Sequence, residues 1–166
     1  MKKIHLIRHA KSSWDDGSLA DIDRPLSELG ISNCQFMAQH IVDAGCCFDN
    51  VFCSPAVRAQ STIDLITSRI TEIEAMWQTD EELYTFSSNN LFRWFRGVDD
   101  SIPEVLIIGH NPAFTDFCNE LSDSDIRNIP TCGYAQLSIH QDCRWQDISE
   151  ITAELTTFLK PKKLMK

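Results

Sequence analysis

A run of apolar residues, VLIIG within the segment EVLIIG at 104–109, lies in the second half of the chain. It constrains the fold more than any other feature. Consecutive apolar residues point to both faces of a strand, so both faces of such a strand must be covered. A similar run, KIHLI at 3–7, lies near the start, and stretches with helical spacing of apolar residues follow it. This alternation predicts an α/β fold, a three-layer α/β/α sandwich with a mostly parallel, mixed central sheet.

Apolar spacing and turn residues predict where the other elements lie. Ser27 is the expected N-cap of a helix that ends near residue 44. Ser54 and Pro55 are the expected cap and first position of a helix that ends near residue 69. The remaining predictions are strands at 50–53, 73–77, 134–139 and 145–151, a helix at 90–96 and a helix that follows the His-Asn-Pro sequence and ends near residue 121.

Composition narrows the class of protein. The length of 166 residues suits one domain, 1–166, and no apolar run approaches the roughly 20 residues of a membrane span. A net charge of −9 argues against nucleic acid and anionic membranes as partners. Without a signal peptide pattern, and with an odd count of seven cysteines, we expect a cytoplasmic protein with reduced thiols. The basic segment 160–166 is expected to be a solvated, mobile tail.

Basic side chains follow three of the predicted strands. Arg8 and His9 follow the first strand, Arg58 lies in the first turn of the helix after the second, and His110 follows EVLIIG. In open α/β sheets, ligands bind beyond the carboxyl ends of the strands, so these side chains are expected to converge. Arg58 opposes the dipole of its helix, a mismatch that a bound anion would resolve.

Two histidines and two arginines at one point favour an anion over a metal ion. Zinc usually takes three or four His, Cys or carboxylate ligands, and arginines would repel the cation. Guanidinium groups match the oxygens of a phosphate, and nearby positive charge keeps a histidine neutral and nucleophilic. We therefore expect a phosphate site without a metal.

Four sequence blocks in order resemble the histidine phosphatase superfamily. They are LIRHAKSSW, DIDRPLSELG, VFCSPAVRAQST and VLIIGHNP, and together they span the chain from about residue 3 to 121. More narrowly, they are similar to the compact phosphohistidine phosphatases of the SixA type. This resemblance implies a phosphoglycerate mutase-like fold, a phosphatase and no cofactor.

The resemblance also implies roles for individual residues. His9 would be the nucleophile that becomes phosphorylated, Arg8 and Arg58 would bind the phosphoryl oxygens, and His110 would complete the pocket. Arg24 would be a further basic residue near the pocket. The other candidates for lining it are Lys11, Ser12 and Asn111.

The general acid of many superfamily members has no clear counterpart in this sequence. The second histidine precedes Asn111 rather than Asp, and the pair Glu81 and Glu82 lies where a mutase-type acid could stand or forms only an acidic loop. An imidazole leaving group can carry its own proton, so phosphohistidine needs less help from an acid.

The expected substrate is therefore phosphohistidine on a signalling or phosphotransfer protein, and two alternatives remain open. One is a small-molecule phosphomonoester phosphatase or mutase that uses one of the two mid-chain glutamates as its acid. The other is a non-catalytic phosphate-binding module.

Overall fold

A computed structural model describes residues 1–74 and 76–165 of the chain. Its strands and helices alternate along most of the sequence. In chain order they are β1 (Lys3–Arg8), α1 (Glu28–Asp43), β2 (Val51–Cys53), α2 (Val57–Ser68), β3 (Trp77–Thr79), α3 (Ser88–Arg96), β4 (Glu104–Gly109), α4 (Ala113–Ser122), β5 (Tyr134–Ile139), β6 (Ala153–Leu159) and α5 (Pro161–Leu164). Short 3-10 turns lie at Asp21–Asp23, Glu81–Leu83 and Trp145–Asp147.

The six strands form one mixed sheet in the order β3-β2-β4-β1-β5-β6. The pairs β2–β3, β2–β4 and β1–β4 are parallel, whereas β5 runs antiparallel to both β1 and β6. The predicted α/β class with a mostly parallel, mixed sheet is confirmed. The carboxyl ends of β1, β2 and β4 therefore meet at one edge of the sheet.

Alternating side chains of β4 pack into two separate hydrophobic cores, one on each face of the sheet. Val105 and Ile107 pack into a core with residues of α3 and α4, and Leu106 and Ile108 pack into a core with residues of α1 and α2. All four β4 side chains are fully buried. Burial on both faces explains why residues 105–108 of EVLIIG are all apolar, as the sequence predicted.

The prediction of a strand at 145–151 is wrong. Trp145 instead begins a 3-10 turn, is fully buried, and donates its indole N–H to the carbonyl of Ile102 at 2.7 Å. Its buried neighbour is Ile148, three residues on, which is turn spacing and not the spacing of two found in strands. The strand that follows β5 in the chain and pairs with its outer edge is β6. It is an edge strand, and its exposed face interrupts its apolar pattern.

Two other predicted boundaries differ. Helix α2 begins at Val57 with Ala56 as its N-cap, and Ser54 lies before the helix, where its hydroxyl accepts from the Ala56 N–H at 3.2 Å. The strand predicted at 73–77 is observed at Trp77–Thr79, and Ala75, which the prediction included, lies outside the described residues.

Much of the basic C-terminal segment forms a helix and not the solvated tail expected, and Lys166 lies outside the described residues. Lys160 is followed by the short helix α5, whose Pro161 is buried and whose Leu164 packs against the core beneath α1. The lysines of this segment are therefore held at a defined place on the surface. Within the part of the chain that the structure describes, no helix is long and apolar enough to cross a membrane.

Gly30 allows the chain after β1 to pack closely on α1. The carbonyl of Lys11 accepts hydrogen bonds from the backbone N–H and hydroxyl of Ser27, and Ser27 caps α1 by accepting from the Gly30 N–H at 3.1 Å. A Cβ on Gly30 would overlap this same carbonyl oxygen of Lys11. The glycine in the first turn of α1 is therefore a packing requirement.

We expect Gly30→Ala to lower the free energy of unfolding by about 1–3 kcal/mol, because the new methyl group meets backbone and not a movable side chain. Helix propensity alone predicts the opposite sign, a gain of up to about 1 kcal/mol. Gly97→Ala, where a Cβ meets its nearest neighbour at an ordinary 3.5 Å, is the matched control. Urea unfolding of both variants decides the point, and a Gly30→Ala protein as stable as the control would contradict this account.

Candidate active site

The two histidines singled out from the sequence lie side by side where β1 and β4 end. In the parallel register, Arg8 stands opposite Gly109, and the His9 N–H donates to the Gly109 carbonyl at 3.1 Å. The rings of His9 and His110 follow at once, with centroids 5.2 Å apart and planes tilted by 51°. The predicted convergence of these strand ends is observed.

Arg58 joins the two histidines from the first turn of α2. Its Nε–H points to Nε2 of His9 and its Nη2 to Nδ1 of His110, each at 3.4 Å. The residue is only 2 % exposed, so the guanidinium lies inside the site and not in solvent. One planar cation therefore contacts a ring nitrogen of both histidines.

The hydrogen bonds of His9 determine its tautomer. Nδ1 lies 2.7 Å from the Ala10 carbonyl, which can only accept, so Nδ1 carries the proton. Arg58, which can only donate, faces Nε2. Nε2 is therefore unprotonated, and its lone pair points into the site.

Burial and positive charge keep His9 neutral. Desolvation lowers the pKa of His9 to about 4, with Arg58, Arg8 and Arg24 adding to the decrease and the hydrogen bond to Ala10 opposing it. At neutral pH the ring is thus uncharged. A neutral imidazole with a free Nε2 lone pair is able to act as a nucleophile.

His110 is also neutral and has the opposite tautomer. Its Nδ1 faces Arg58, so Nε2 carries the proton and donates to the hydroxyl of Ser54 at 2.7 Å. Burial lowers the pKa of His110 to about 3, and the charges of the nearby basic side chains contribute. Ser54 thus orients this ring and does not cap α2, a role that no sequence pattern indicated.

Asp21 is the most important residue that the sequence analysis missed. Its carboxylate accepts from Arg58 Nη2 at 3.0 Å, from Arg24 at 3.1 and 3.2 Å, and from the hydroxyl of Tyr84 at 2.5 Å. Its backbone carbonyl also accepts from Arg58 Nη1 at 2.7 Å. The Tyr84 hydrogen bond, followed by those of the arginines, lowers the pKa of Asp21 to about 2. The carboxylate of Asp21, an exposed residue of the same chain, therefore balances the charge of Arg58.

Arg24 contacts the site through Asp21, and its role in binding substrate stays a prediction. Its Nη1 donates to the hydroxyl of Ser12 at 2.7 Å, and the indole of Trp14 stacks on the guanidinium at 3.5 Å. The Ser12 hydroxyl is buried under this contact. Ser12 consequently positions Arg24, although the sequence placed it only as a lining candidate.

Arg8 is the least paired of the three arginines. Its Nη1 donates to the Ile129 carbonyl at 2.8 Å, while its Nε is buried without a hydrogen-bond partner. Burial lowers the pKa of Arg8, and the neighbouring charge of Arg58 lowers it further. No carboxylate lies within 4 Å of Arg8 among the described residues. It is the guanidinium with capacity left for an incoming anion.

The other two lining candidates, Asn111 and Lys11, make hydrogen bonds that hold neighbouring backbone segments in place. The amide of Asn111 donates to the Ile129 carbonyl at 2.9 Å, and its oxygen accepts from the N–H and hydroxyl of Thr115. Asn111 therefore fixes the start of α4. Lys11 uses its carbonyl to hold α1, as described above, and its exposed side chain lines a groove beside Arg8.

The candidate acids Glu81 and Glu82 are not bonded to either histidine. Both are exposed and line a small surface cavity together with Tyr84. Tyr84 and Phe86 pack edge-on and tilted against the His110 ring, at 5.3 and 5.5 Å between centroids. These two aromatic residues, which the sequence analysis missed, form one wall of the site.

The site offers no obvious metal centre. Over residues 1–74 and 76–165, no three His, Cys, Asp or Glu side chains gather in a group that could hold a metal ion. Arg58 instead presents N–H donors to both histidines, and Arg8, the last residue of β1, has no carboxylate partner among the described residues. That arrangement suits an anion with several oxygens.

Comparison with known proteins assigns this architecture. The sequence pattern of the histidine phosphatase superfamily (branch 1) matches residues 4–87. An uncharacterized protein of Mycobacterium tuberculosis is 30 % identical over 166 residues, covering 94 % of this chain and 100 % of that protein. The match thus extends over both proteins almost completely.

Solved structures with the same fold include phosphohistidine phosphatases. A protein of Nakamurella multipartitia assigned as the phosphohistidine phosphatase SixA superposes with a TM-score of 0.79, 24 % identity and 96 % coverage of both chains. The protein histidine phosphatase SixA in complex with tungstate also gives a TM-score of 0.79, at 18 % identity, covering 98 % of this chain and 99 % of that one. At these identities the likeness establishes the fold.

The tautomers of the two histidines can be tested by NMR. Near pH 5.5 we expect long-range ¹H–¹⁵N spectra to show neutral rings, protonated at Nδ1 in His9 and at Nε2 in His110, because their pKa values lie near 4 and 3. In urea, where the unfolded histidines titrate near about 6.5, the same signals should report charged rings. His9→Asn and His110→Asn assign the signals, and a charged His9 in the folded protein would contradict this description.

The same pKa values predict how stability depends on pH. Both folded-state values lie below the unfolded value of about 6.5, so the stabilisation is complete above that pH and decreases as pH falls toward 4. Near pH 5 the loss should be about 1–2 kcal/mol for each histidine. Urea unfolding at several pH values should show this loss in the natural chain and a smaller one in the His9→Asn/His110→Asn protein.

Proposed function

The chain belongs to the histidine phosphatase superfamily, and on that premise we propose that it removes the phosphoryl group from phosphohistidine on a phosphorelay or phosphotransfer protein. The observation that carries the proposal is the unprotonated Nε2 of His9, which faces the guanidinium of Arg58 at 3.4 Å. A nucleophile beside a phosphate-binding cation is the minimum apparatus for phosphoryl transfer.

In the first step, His9 Nε2 attacks phosphorus in line with the P–N bond of the substrate. A new N–P bond forms while the substrate bond breaks, and its electron pair returns to the leaving imidazole. The proton stays on His9 Nδ1, hydrogen-bonded to the Ala10 carbonyl, so phosphorylation at Nε2 makes the ring a cation that this oxygen stabilises. No proton has to move on His9.

The arginines hold the phosphoryl oxygens during this transfer. Asp21 fixes the two Nη atoms of Arg58 from one side, so that the guanidinium cannot rotate away from the histidines. Arg8, which lacks a carboxylate partner among the described residues, supplies the charge that an incoming phosphoryl group needs. Pre-arranged donors of this kind stabilise the charge of the transition state without reorganising.

His110 completes the pocket opposite His9. Its ring is held by Ser54 on one nitrogen and by packing against Tyr84 and Phe86. With Nε2 committed to Ser54, Nδ1 faces the site and can receive a proton from a phosphoryl oxygen or a water molecule. Once Nδ1 has taken up that proton, the ring is a cation that donates a hydrogen bond to a phosphoryl oxygen, and in this form His110 stabilises the phosphoryl group between the two nitrogens.

In the second step, water attacks phospho-His9. The His9–phosphorus bond breaks, its electron pair returns to Nε2, and the neutral Nδ1-protonated ring is restored. Water contributes its oxygen to the released phosphate and its proton to a phosphate oxygen or to solvent. Each cycle consumes one water molecule and one phosphohistidine and yields histidine and inorganic phosphate.

Two observations support phosphohistidine as the substrate class. The exposed Glu81 and Glu82 make no hydrogen bond to His9 or His110 in the described chain, and Asp21, with its pKa lowered to about 2, is ionised, so no protonated carboxylic acid is poised beside a leaving group. A phosphohistidine ring that already holds a proton leaves as neutral imidazole without such an acid. The structural similarity to SixA proteins points in the same direction.

We expect His9→Ala to abolish release of phosphate from a histidine-phosphorylated phosphotransfer protein, with a loss of several orders of magnitude because the nucleophile is gone. EDTA should leave the rate of the natural chain unchanged. The measurement is phosphate release under single-turnover conditions, with ³²P trapping of the phospho-His9 intermediate.

His140→Ala is the matched control for this experiment. His140 is exposed, lies at the end of the sheet away from the active site, and makes a hydrogen bond from its backbone N–H to the Thr152 carbonyl. It should retain full activity. A His9→Ala protein that releases phosphate at the rate of this control would rule out the mechanism. Absence of turnover in the natural chain, with phosphate still bound, would instead favour the non-catalytic module.

A small-molecule phosphomonoesterase is the second candidate function, because Glu81 and Glu82 share a cavity with Tyr84, which contacts His110. A shift of the 3-10 turn could bring an acid to an ester oxygen. We expect Glu81→Gln and Glu82→Gln to change kcat for phosphohistidine less than about twofold. If either variant lowers kcat for an alkyl phosphate at least tenfold, and the natural chain prefers that ester, the second function replaces the first.

A further inference from the structure

A groove lined by cations begins at the edge of the active site. We call it the basic groove and define it by Arg8, Lys11, Lys160, Lys162 and Lys163. It has a volume of about 570 Å³, and no Asp or Glu is among the described residues that line it. The chain as a whole carries 24 acidic against 15 lysine and arginine residues, so this concentration of positive charge runs against the overall composition.

The charges of the basic groove are not neutralised internally. In the described part of the chain, none of its five cations has a carboxylate oxygen within 4 Å. By contrast, Arg24 and Arg58 in the neighbouring site both pair with Asp21. Helix α5 holds Lys162 and Lys163 exposed, and buried Pro161 anchors them. The groove is therefore a fixed patch of unpaired positive charge.

Two buried polar atoms in the groove wall lack partners. They are Nε of Arg8 and Oδ1 of Asn33, whose residue is only 8 % exposed. A buried polar atom without a partner carries a cost of about 1–3 kcal/mol. Arg8 lacks an acceptor and Asn33 a donor, so the wall of the groove is built on polar groups that the fold leaves unpaired.

Exposed apolar side chains lie in the groove and around the adjoining active site. Trp14 is 74 % exposed and stacks on Arg24, Phe86 is 48 % exposed and packs on His110, and Leu29, in the groove itself, is 53 % exposed. Exposed aromatic residues beside a charged patch are characteristic of protein-binding surfaces. A free small anion would make no use of them.

We propose that the basic groove binds an acidic surface of the histidine-phosphorylated partner, next to its phosphohistidine. The inference rests on the proposed function and specifies the chemistry of the partner. Arg8 belongs to both the groove and the phosphate site, so an acidic face in the groove places the phosphohistidine over His9. Charge complementarity of this kind raises the rate of encounter and weakens with added salt.

The test is the charge reversal Lys162→Glu/Lys163→Glu, on exposed residues that have no part in the phosphate site. The probe is a histidine-phosphorylated phosphotransfer domain that is acidic around its phosphohistidine, used beside a copy with those acids changed to Asn and Gln. We expect kcat/KM for the acidic probe to fall about tenfold or more through KM, with kcat changed less than twofold. Turnover of p-nitrophenyl phosphate should not change.

Arg69→Glu/Arg144→Glu is the matched control, because it changes the net charge equally at two exposed arginines outside the groove. It should leave kcat/KM for the acidic probe within about twofold. Against the neutralised probe, the groove variant and the natural chain should have nearly equal kcat/KM, because the attraction is already absent. Added salt should reduce kcat/KM of the natural chain more than that of the groove variant.

Failures of the two proposals are distinguishable. If the natural chain hydrolyses phosphohistidine proteins but the groove variant and the control behave alike, the groove proposal is overturned and the function stands. An equal rise of KM for p-nitrophenyl phosphate would also overturn it, because the groove would then serve any small anion. If the natural chain releases no phosphate from either probe, the proposed function fails and the inference fails with it.

Discussion

The parallel pairing of β1 with β4, in the register that sets Arg8 opposite Gly109, is the constraint on which the site depends. The chain leaves both strands at the same level, and the His9 N–H bonds to Gly109 in continuation of the ladder. Each imidazole is then delivered by a backbone that is buried and hydrogen-bonded on both sides. A slip of one residue would turn His9 to the other face and separate it from His110.

Bringing two imidazoles and three arginines together is electrostatically unfavourable, and the structure relieves the strain in two ways. The histidines lose their charge, since burial and the surrounding cations lower their pKa values to about 4 and 3. The arginines keep theirs, and Asp21 neutralises part of it from a turn that Tyr84 ties down. The neutrality that makes His9 nucleophilic is thus a consequence of the same crowding that requires Asp21.

The parts of this arrangement that are local in sequence could be predicted. Strand β4 and the basic residues after three strands follow from apolar runs and their immediate successors. Asp21 could not be found in this way, because its partner Arg58 is 37 residues distant and an aspartate in a polar loop has no distinguishing pattern. Ser54 matches a capping pattern, yet its hydroxyl accepts from His110 and from the N–H of Ala56, so it lies before α2 and Ala56 is the N-cap. Strand β6 was missed because an edge strand buries only one face, and α5 because its anchor is a single proline.

The three arginines of the site differ in how far their positive charge is neutralised. Arg24 and Arg58 share the Asp21 carboxylate, so their guanidiniums are oriented but partly neutralised before a ligand arrives. Arg8 has only a backbone carbonyl as partner and an Nε with none, so its charge is still available. Arg8 also lines the basic groove. The unpaired positive charge of its guanidinium therefore adjoins the lysines of α5. An anion arriving along this path stays beside unpaired positive charge until it reaches the neutral His9, which is the order of events that the proposed phosphoryl transfer requires.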